Sequence, residues 1–155
     1  MTQPNPVVRS IVVPLTADAA FAAFTERLTD WWPRIFTFGE DNFDRAGFDA
    51  EVGGQWYEID RDGKRTSWGD ILTWNPPHQL AVTWQISPRR TPEPDAAHAS
   101  LIEVRFEPYG PQETEVTVTH NRFENHGDGA DTMREGMASE QGWSYLLGLF
   151  SQSLG

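Results

Sequence analysis

Apolar and polar positions alternate along most of this chain, and where alternation stops, apolar residues recur every three or four positions. VVRSIVV (7–13) reads as a β-strand stopped by Pro14. Thr16 is placed to cap a helix, and Asp18 falls in its first turn, where negative charge suits the helix dipole. Phe21, Phe24 and Leu28 follow at helical spacing. Thr29-Asp30 interrupts them, and Pro33 pushes the residue before it out of the helical region. One short helix, or two very short ones, is expected between Ala17 and Trp31.

After a loop rich in Gly, Asp and Phe, six strands are predicted: FDAEV (48–52), QWYEID (55–60), TSWGDILTW (66–74), QLAVTWQI (79–86), LIEVRFEP (101–108) and TEVTVTH (114–120). Asp-Gly within DRDGK (60–64) marks a hairpin, and NPPH (75–78) a turn. SPRRTPEPDAAH (87–98) has three prolines and no apolar period, so it reads as a solvated crossover loop, a lid or an interface element. Leu80, Val82 and Trp84 share a strand face; so do Ile102, Val104 and Phe106, and Val116, Val118 and His120. HGDGAD (126–131) ends the alternation. A single long helix is expected from Thr132 to Leu154, its stripe formed by Met133, Met137, Trp143, Leu147, Phe150 and Leu154.

Successive strands joined by short turns pair antiparallel, and a sheet with one apolar face needs a cover. The predicted fold is therefore α+β: one domain over 1–155, flexible at 1–6. A curved antiparallel sheet of six or seven strands wraps a long C-terminal helix, with two short helices after the first strand.

Composition adds weight to the interior. Seven Trp and nine Phe stand among 155 residues, and each buried aromatic removes about 150–250 Å² from water. TDWWPRIFTF (29–38) concentrates that surface. Dense packing and an aromatic-lined pocket both satisfy the pattern. A net charge of −11 repels phosphate backbones and anionic lipid, so neither nucleic acid nor a membrane is an expected partner. The absence of cysteine excludes a disulfide framework, a thiolate metal site and a cysteine nucleophile. MTQPNPVVRS has no signal-peptide character, and no apolar run nears the ~18 residues of a membrane span. A cytoplasmic protein is expected.

Four stretches, taken together, carry a resemblance: AFAAFTERLTDWWPR, GDILTWNPPHQLAVTW, VTVTHNRF and EQGWSYLLGLF. In order and spacing they resemble the activator of Hsp90 ATPase homologue family, within the START-like, pollen-allergen-like (SRPBCC) superfamily. The resemblance runs from about Val7 to Leu154. It implies a helix-grip fold with a hydrophobic cavity between sheet and long helix, and no single chemistry. Only six residues precede the first strand, so the separate N-terminal domain of the eukaryotic co-chaperone is expected to be missing.

The candidate ligand-binding residues are Trp31, Trp32, Phe36, Trp56, Trp84, Phe106, His120, Phe123, Met137, Trp143 and Leu147. Trp31 and Trp32 would diverge by about 100° on a helix, one into the core and one toward the cavity mouth. Phe36 and Phe38 would share a face at that rim if extended. His120, polar on an apolar face, is either a satisfied core residue or a ligand anchor. Glu140 lies near the inward stripe of the predicted long helix; were it to meet His120, the two would form an acid–base couple. The four histidines show no metal-binding spacing, and no P-loop, GxSxG or GxGxxG motif is present. No metal or cofactor is expected.

Three functions are compatible. The leading one is binding of a small hydrophobic or aromatic molecule in a cavity of roughly several hundred Å³. The second is a cyclase, aromatase or hydrolase acting on a polyketide-like substrate, with His120 and Glu140 as the polar pair. The third is a chaperone-associated stress protein. A homodimer suits all three.

Overall fold

The structure, a computed structural model, describes residues 6–154. Nearly all of the predicted flexible N-terminus therefore lies outside the described residues. Seven strands form one curled antiparallel sheet: β1 (Val7–Val13), β2 (Phe43–Phe48), β3 (Gln55–Asp60), β4 (Arg65–Asn75), β5 (Gln79–Trp84), β6 (Ser100–Gly110) and β7 (Glu113–Asn121). Their order across the sheet is β1-β7-β6-β5-β4-β3-β2. The meander accounts for every neighbour except β1, which pairs with the last strand, Val7 opposite His120.

Helices α1 (Ala17–Glu26) and α2 (Leu28–Trp31) follow β1. Thr16 caps α1 as its sequence position requires, its hydroxyl accepting from Ala19 N–H at 3.3 Å; such a cap contributes about 1 kcal/mol. The Thr29 hydroxyl donates to Ala46 O and accepts from Ala46 N, which ties α2 to β2. Two 3-10 turns, Arg34–Phe36 and Glu40–Asn42, lead into β2.

The strand expected at 48–52 is displaced. β2 occupies 43–48, and residues 49–54 form the turn into β3, with Ala50 at φ 59° and Gly53 at φ 89°. Gly53-Gly54 supplies the conformational freedom for that turn, and the Asp49 carboxylate holds it by accepting from Gln55 N at 2.9 Å.

The expected single C-terminal helix is broken. α3 (Ala130–Ala138) and α4 (Trp143–Ser153) are separated by a turn at 139–142. The reason lies at Gly142, where a Cβ would sit 2.2 Å from the Met137 carbonyl oxygen. The chain folds back so tightly there that only glycine fits. Arg9 of β1 donates to Ala138 O at 2.7 Å and takes up a carbonyl at the end of α3.

α1, α2 and α4 cover the concave face of the sheet. The core gathers Phe21, Phe24, Leu28, Leu146, Leu147 and Phe150 from the helices, and Leu80, Val82, Ile102, Val104, Phe106, Val116 and Val118 from the strands. Gly69 on β4 decides how closely two strands approach: a Cβ there would lie 1.8 Å from Thr83 O. That closeness lets the Trp56 indole reach across to Thr83 O at 3.0 Å.

Candidate functional site

Trp31 ends α2, but Trp32 is already extended (φ −75°, ψ 127°), as the following proline dictates. The two rings therefore do not diverge as on a helix. They meet edge to face, 5.6 Å between centroids, and both are buried and line the same small space. Trp32 is the hub of a tryptophan cluster, also touching Trp56, Trp68, Trp84 and Trp143 at centroid separations of 5.2 to 6.3 Å.

The space itself is small. Between α2, α4 and the strands lies a cavity of about 10 Å³ lined by Phe24, Leu28, Trp31, Trp32, Phe48, Trp56, Leu80, Val82, Ile102, Val104 and Trp143. That is room for roughly one water, far below the ~300–1,000 Å³ of a ligand pocket. The large cavity expected from sequence is filled by the tryptophans.

Indole N–H groups inside such a cluster need partners. Trp31 donates to Phe24 O at 3.2 Å, Trp56 to Thr83 O, Trp68 to Glu58 Oε1 at 2.8 Å, and Trp143 to His120 Nδ1 at 3.0 Å. Trp32 Nε1 and Trp84 Nε1 have no hydrogen-bond partner among the described residues. Each such buried donor costs about 1–3 kcal/mol.

His120 is fully buried on β7, stacked on Phe123 at 4.2 Å and tilted against Trp84 at 5.6 Å. An indole N–H only donates, so Nδ1 of His120 is an acceptor and the neutral ring carries its proton on Nε2. Nε2–H then donates to Ser100 Oγ at 2.7 Å. The Ser100 hydroxyl passes the chain on to His126 Nε2, also at 2.7 Å, which additionally accepts from Ser100 N at 3.2 Å. The outcome is a directed line, Trp143 to His120 to Ser100 to half-buried His126. Burial holds His120 well below the ordinary histidine value, and the neighbouring His126 adds to this. His126 is lowered chiefly by burial, against the pull of Glu93.

Local chain reversal builds this line. Arg122 adopts φ 60° after β7, and the 3-10 turn Phe123–His126 swings Phe123 under His120 and His126 back to Ser100. Loop 87–98 packs beside it. Glu93 N donates to Gln85 O at 2.9 Å, Arg90 lies 5.9 Å from the Phe36 ring, and a side chain at Gly129 would meet Pro88.

Of the residues expected to bind ligand, Trp31, Trp32, Trp56 and Trp143 line the cavity; Trp84 and His120 pack on Trp143 outside it, and Phe123 stacks on His120. Phe106 packs on Phe21 and Phe24, and Leu147 is buried in the core. Met137 is half-buried on α3. Phe36 and Phe38 are half-buried, but Phe36 sits in a 3-10 turn against Tyr145 rather than on an extended strand.

Glu140 does not meet His120. It is exposed in the turn between α3 and α4, because the broken helix removes the stripe that would have turned it inward. Both ring nitrogens of His120 are engaged elsewhere.

Sequence reasoning missed Ser100 and Glu58. Glu58 is buried, and its carboxylate accepts from Phe38 N at 2.6 Å, Gly39 N at 2.8 Å and the Trp68 indole. The available signal was the strand period, which puts Glu58 on the face of Trp56, and Ser100 on the face of Ile102 and Val104.

The residues described so far have relatives. The sequence profile of the Activator of Hsp90 ATPase homolog 1-like proteins matches residues 14–155. Among solved structures, the anthrahydroquino-γ-pyrone synthase Txn09 is similar to this chain, with 36% identity over 99% of each chain and a TM-score of 0.68. CalC from Micromonospora echinospora, a self-sacrificing resistance protein, is 27% identical over 97% of this chain and 94% of its own, with a TM-score of 0.65. Protein NE0264 from Nitrosomonas europaea shares the fold at 16% identity, with a TM-score of 0.67 over 97% and 94%. No curated protein matches. No helix among the described residues is long and apolar enough to cross a membrane. The chain belongs to the Activator of Hsp90 ATPase homolog 1-like family, on the START-like helix-grip fold.

Proposed function

We propose that this protein binds a flat, oxygenated polycyclic aromatic of polyketide type and closes an oxygen-containing ring on it. The observation that carries this reading is the hydrogen-bonded line Trp143–His120–Ser100–His126, which joins an aromatic chamber to a half-buried histidine. Full-length similarity to a γ-pyrone-forming synthase supports the same substrate class.

Ring closure of this kind joins a phenolic oxygen to the far carbonyl carbon of a neighbouring 1,3-diketone and then expels one water. The phenol must lose a proton as its oxygen attacks, the attacked carbonyl oxygen must take one up to become a hydroxyl, and that hydroxyl must gain a second as the carbon between the two carbonyls gives one up. Nδ1 of His120 is the acceptor for the first transfer once substrate replaces the Trp143 N–H. The Nε2 proton then moves to Ser100, whose own proton moves to His126, so His126 holds the charge beside Glu93. Reversal of the line returns this proton to the attacked carbonyl oxygen, and the proton released by the carbon between the two carbonyls follows the same line to the hydroxyl, which leaves as water. Such positioned proton transfer contributes about 10²–10⁴-fold.

A cavity of about 10 Å³ must open to admit such a molecule.

The test is incubation with a reduced 1-hydroxyanthraquinone carrying a 1,3-diketone chain beside the hydroxyl, followed by mass spectrometry. The reading expects loss of one water to give the γ-pyrone, slowed about 100-fold or more in Ser100→Ala. Saturable binding without turnover would favour a second reading, binding alone. The engagement of both His120 nitrogens supports that alternative.

A further inference from the structure

Six tryptophans cluster at the chamber: Trp31, Trp32, Trp56 and Trp143 line its cavity, and Trp68 and Trp84 pack against them. Four have placed N–H groups, and the exceptions, Trp32 and Trp84, adjoin each other. Trp32 and Trp84 are 4% and 8% exposed, their ring centroids lie 6.3 Å apart, and both pack on Trp56 and Trp143. We infer that the Trp32 and Trp84 indoles form a two-donor subsite for ring-carbonyl oxygens of the bound aromatic. This rests on the binding reading above and specifies the chemistry the chamber selects.

Water is a poor occupant. It would satisfy an indole N–H, but its own hydrogens need acceptors, and none of the side chains lining the cavity offers one. A quinone or ketone oxygen accepts and carries no hydrogen, so it suits two buried donors that lack partners. The rest of its skeleton is apolar and flat, as the tryptophan faces require. Trp84 also lies 5.6 Å from His120, so a carbonyl held there is presented beside the proton line. The competing account is that each N–H rests on a neighbouring indole face, a weak contact; the Trp32–Trp56 pair, at 84° between planes, has a geometry of that type.

The two accounts differ in what a ligand oxygen is worth. Anthraquinone and anthracene, which share a three-ring skeleton, are compared by equilibrium dialysis against the wild-type protein, Trp32→Phe, Trp84→Phe and the double variant. The expected result is that wild type prefers anthraquinone by about tenfold or more, as one or two hydrogen bonds provide, and that the preference vanishes in the double variant. Replacement of either tryptophan by benzothienylalanine, which exchanges N–H for sulfur at nearly constant shape, should lower anthraquinone affinity and spare anthracene. Equal affinity of wild type for both probes overturns the subsite while leaving the binding reading intact. Equal loss of both probes in the variants overturns it too. Failure of wild type to bind either probe overturns both.

Discussion

The Trp143 indole donates to Nδ1 of His120 at 3.0 Å, which fixes the tautomer of a histidine that no solvent reaches. Because that proton sits on Nε2, the hydroxyl of Ser100 is an acceptor from one histidine and a donor to another. Nitrogen-15 spectra should show His120 with a protonated Nε2 and a bare Nδ1, still neutral below about pH 6, where a free histidine is largely charged. Trp143→Phe should release this fixed tautomer and produce a mixture.

Acid should destabilise the fold. His120 and His126 are both held below the ordinary value of 6.5. As pH falls below about 6.5, the unfolded chain takes up protons that the folded chain refuses. Stability should therefore be flat above that point with respect to these groups. It should fall below it by up to about 1.4 kcal/mol per pH unit from His120. Urea midpoints across this range would show it, and His120→Phe should flatten the slope even if it lowers the plateau.

Gly69→Ala should be among the most damaging single changes. Its Cβ would meet backbone, the carbonyl of Thr83, which cannot swing aside. A loss of about 3 kcal/mol or more in chemical denaturation is expected, at the upper end of overpacking costs, together with loss of the Trp56 to Thr83 hydrogen bond.

Glu58→Gln keeps volume but faces an amide NH₂ toward N–H donors that a carboxylate satisfied. A destabilisation of about 1.5–3 kcal/mol is expected. Hydrogen exchange should accelerate at Phe38 and Gly39 while the amides of β6 and β7 remain protected.

Glu140→Ala should change stability by no more than about 0.5 kcal/mol, since the residue is exposed. The proposed cyclisation should be untouched, in contrast to Ser100→Ala.

The contrast between Glu140 and Ser100 shows where the sequence was legible. The strand pattern located six of the seven strands closely and put His120 on the buried face, because a register slip would expose a whole row of apolar side chains. β2 was misplaced because its run, FDRAGF, has little apolar alternation and is held by pairing with β3 and by Thr29. The break between α3 and α4 was invisible to helical periodicity. It arises from a close backbone approach at Gly142, and a glycine alone does not say how near its neighbour lies. That break moved Glu140 out of the site. Ser100 and His126 are brought together by a left-handed residue, Arg122, that sequence does not announce. The small size of the cavity also escaped prediction, because hydrophobic pattern identifies which faces are buried and says nothing of how tightly the tryptophans pack.

The most direct test of the chamber uses the seven tryptophan side-chain N–H resonances in a ¹⁵N–¹H correlation spectrum, followed as 1-hydroxyanthraquinone is added. If the chamber binds as described, the Trp32, Trp84 and Trp143 signals move together and saturate, while Trp74, packed on Phe21 and Phe48, moves least. Saturating shifts confined to Trp74, or seven unmoved signals at the solubility limit of the probe, would contradict it.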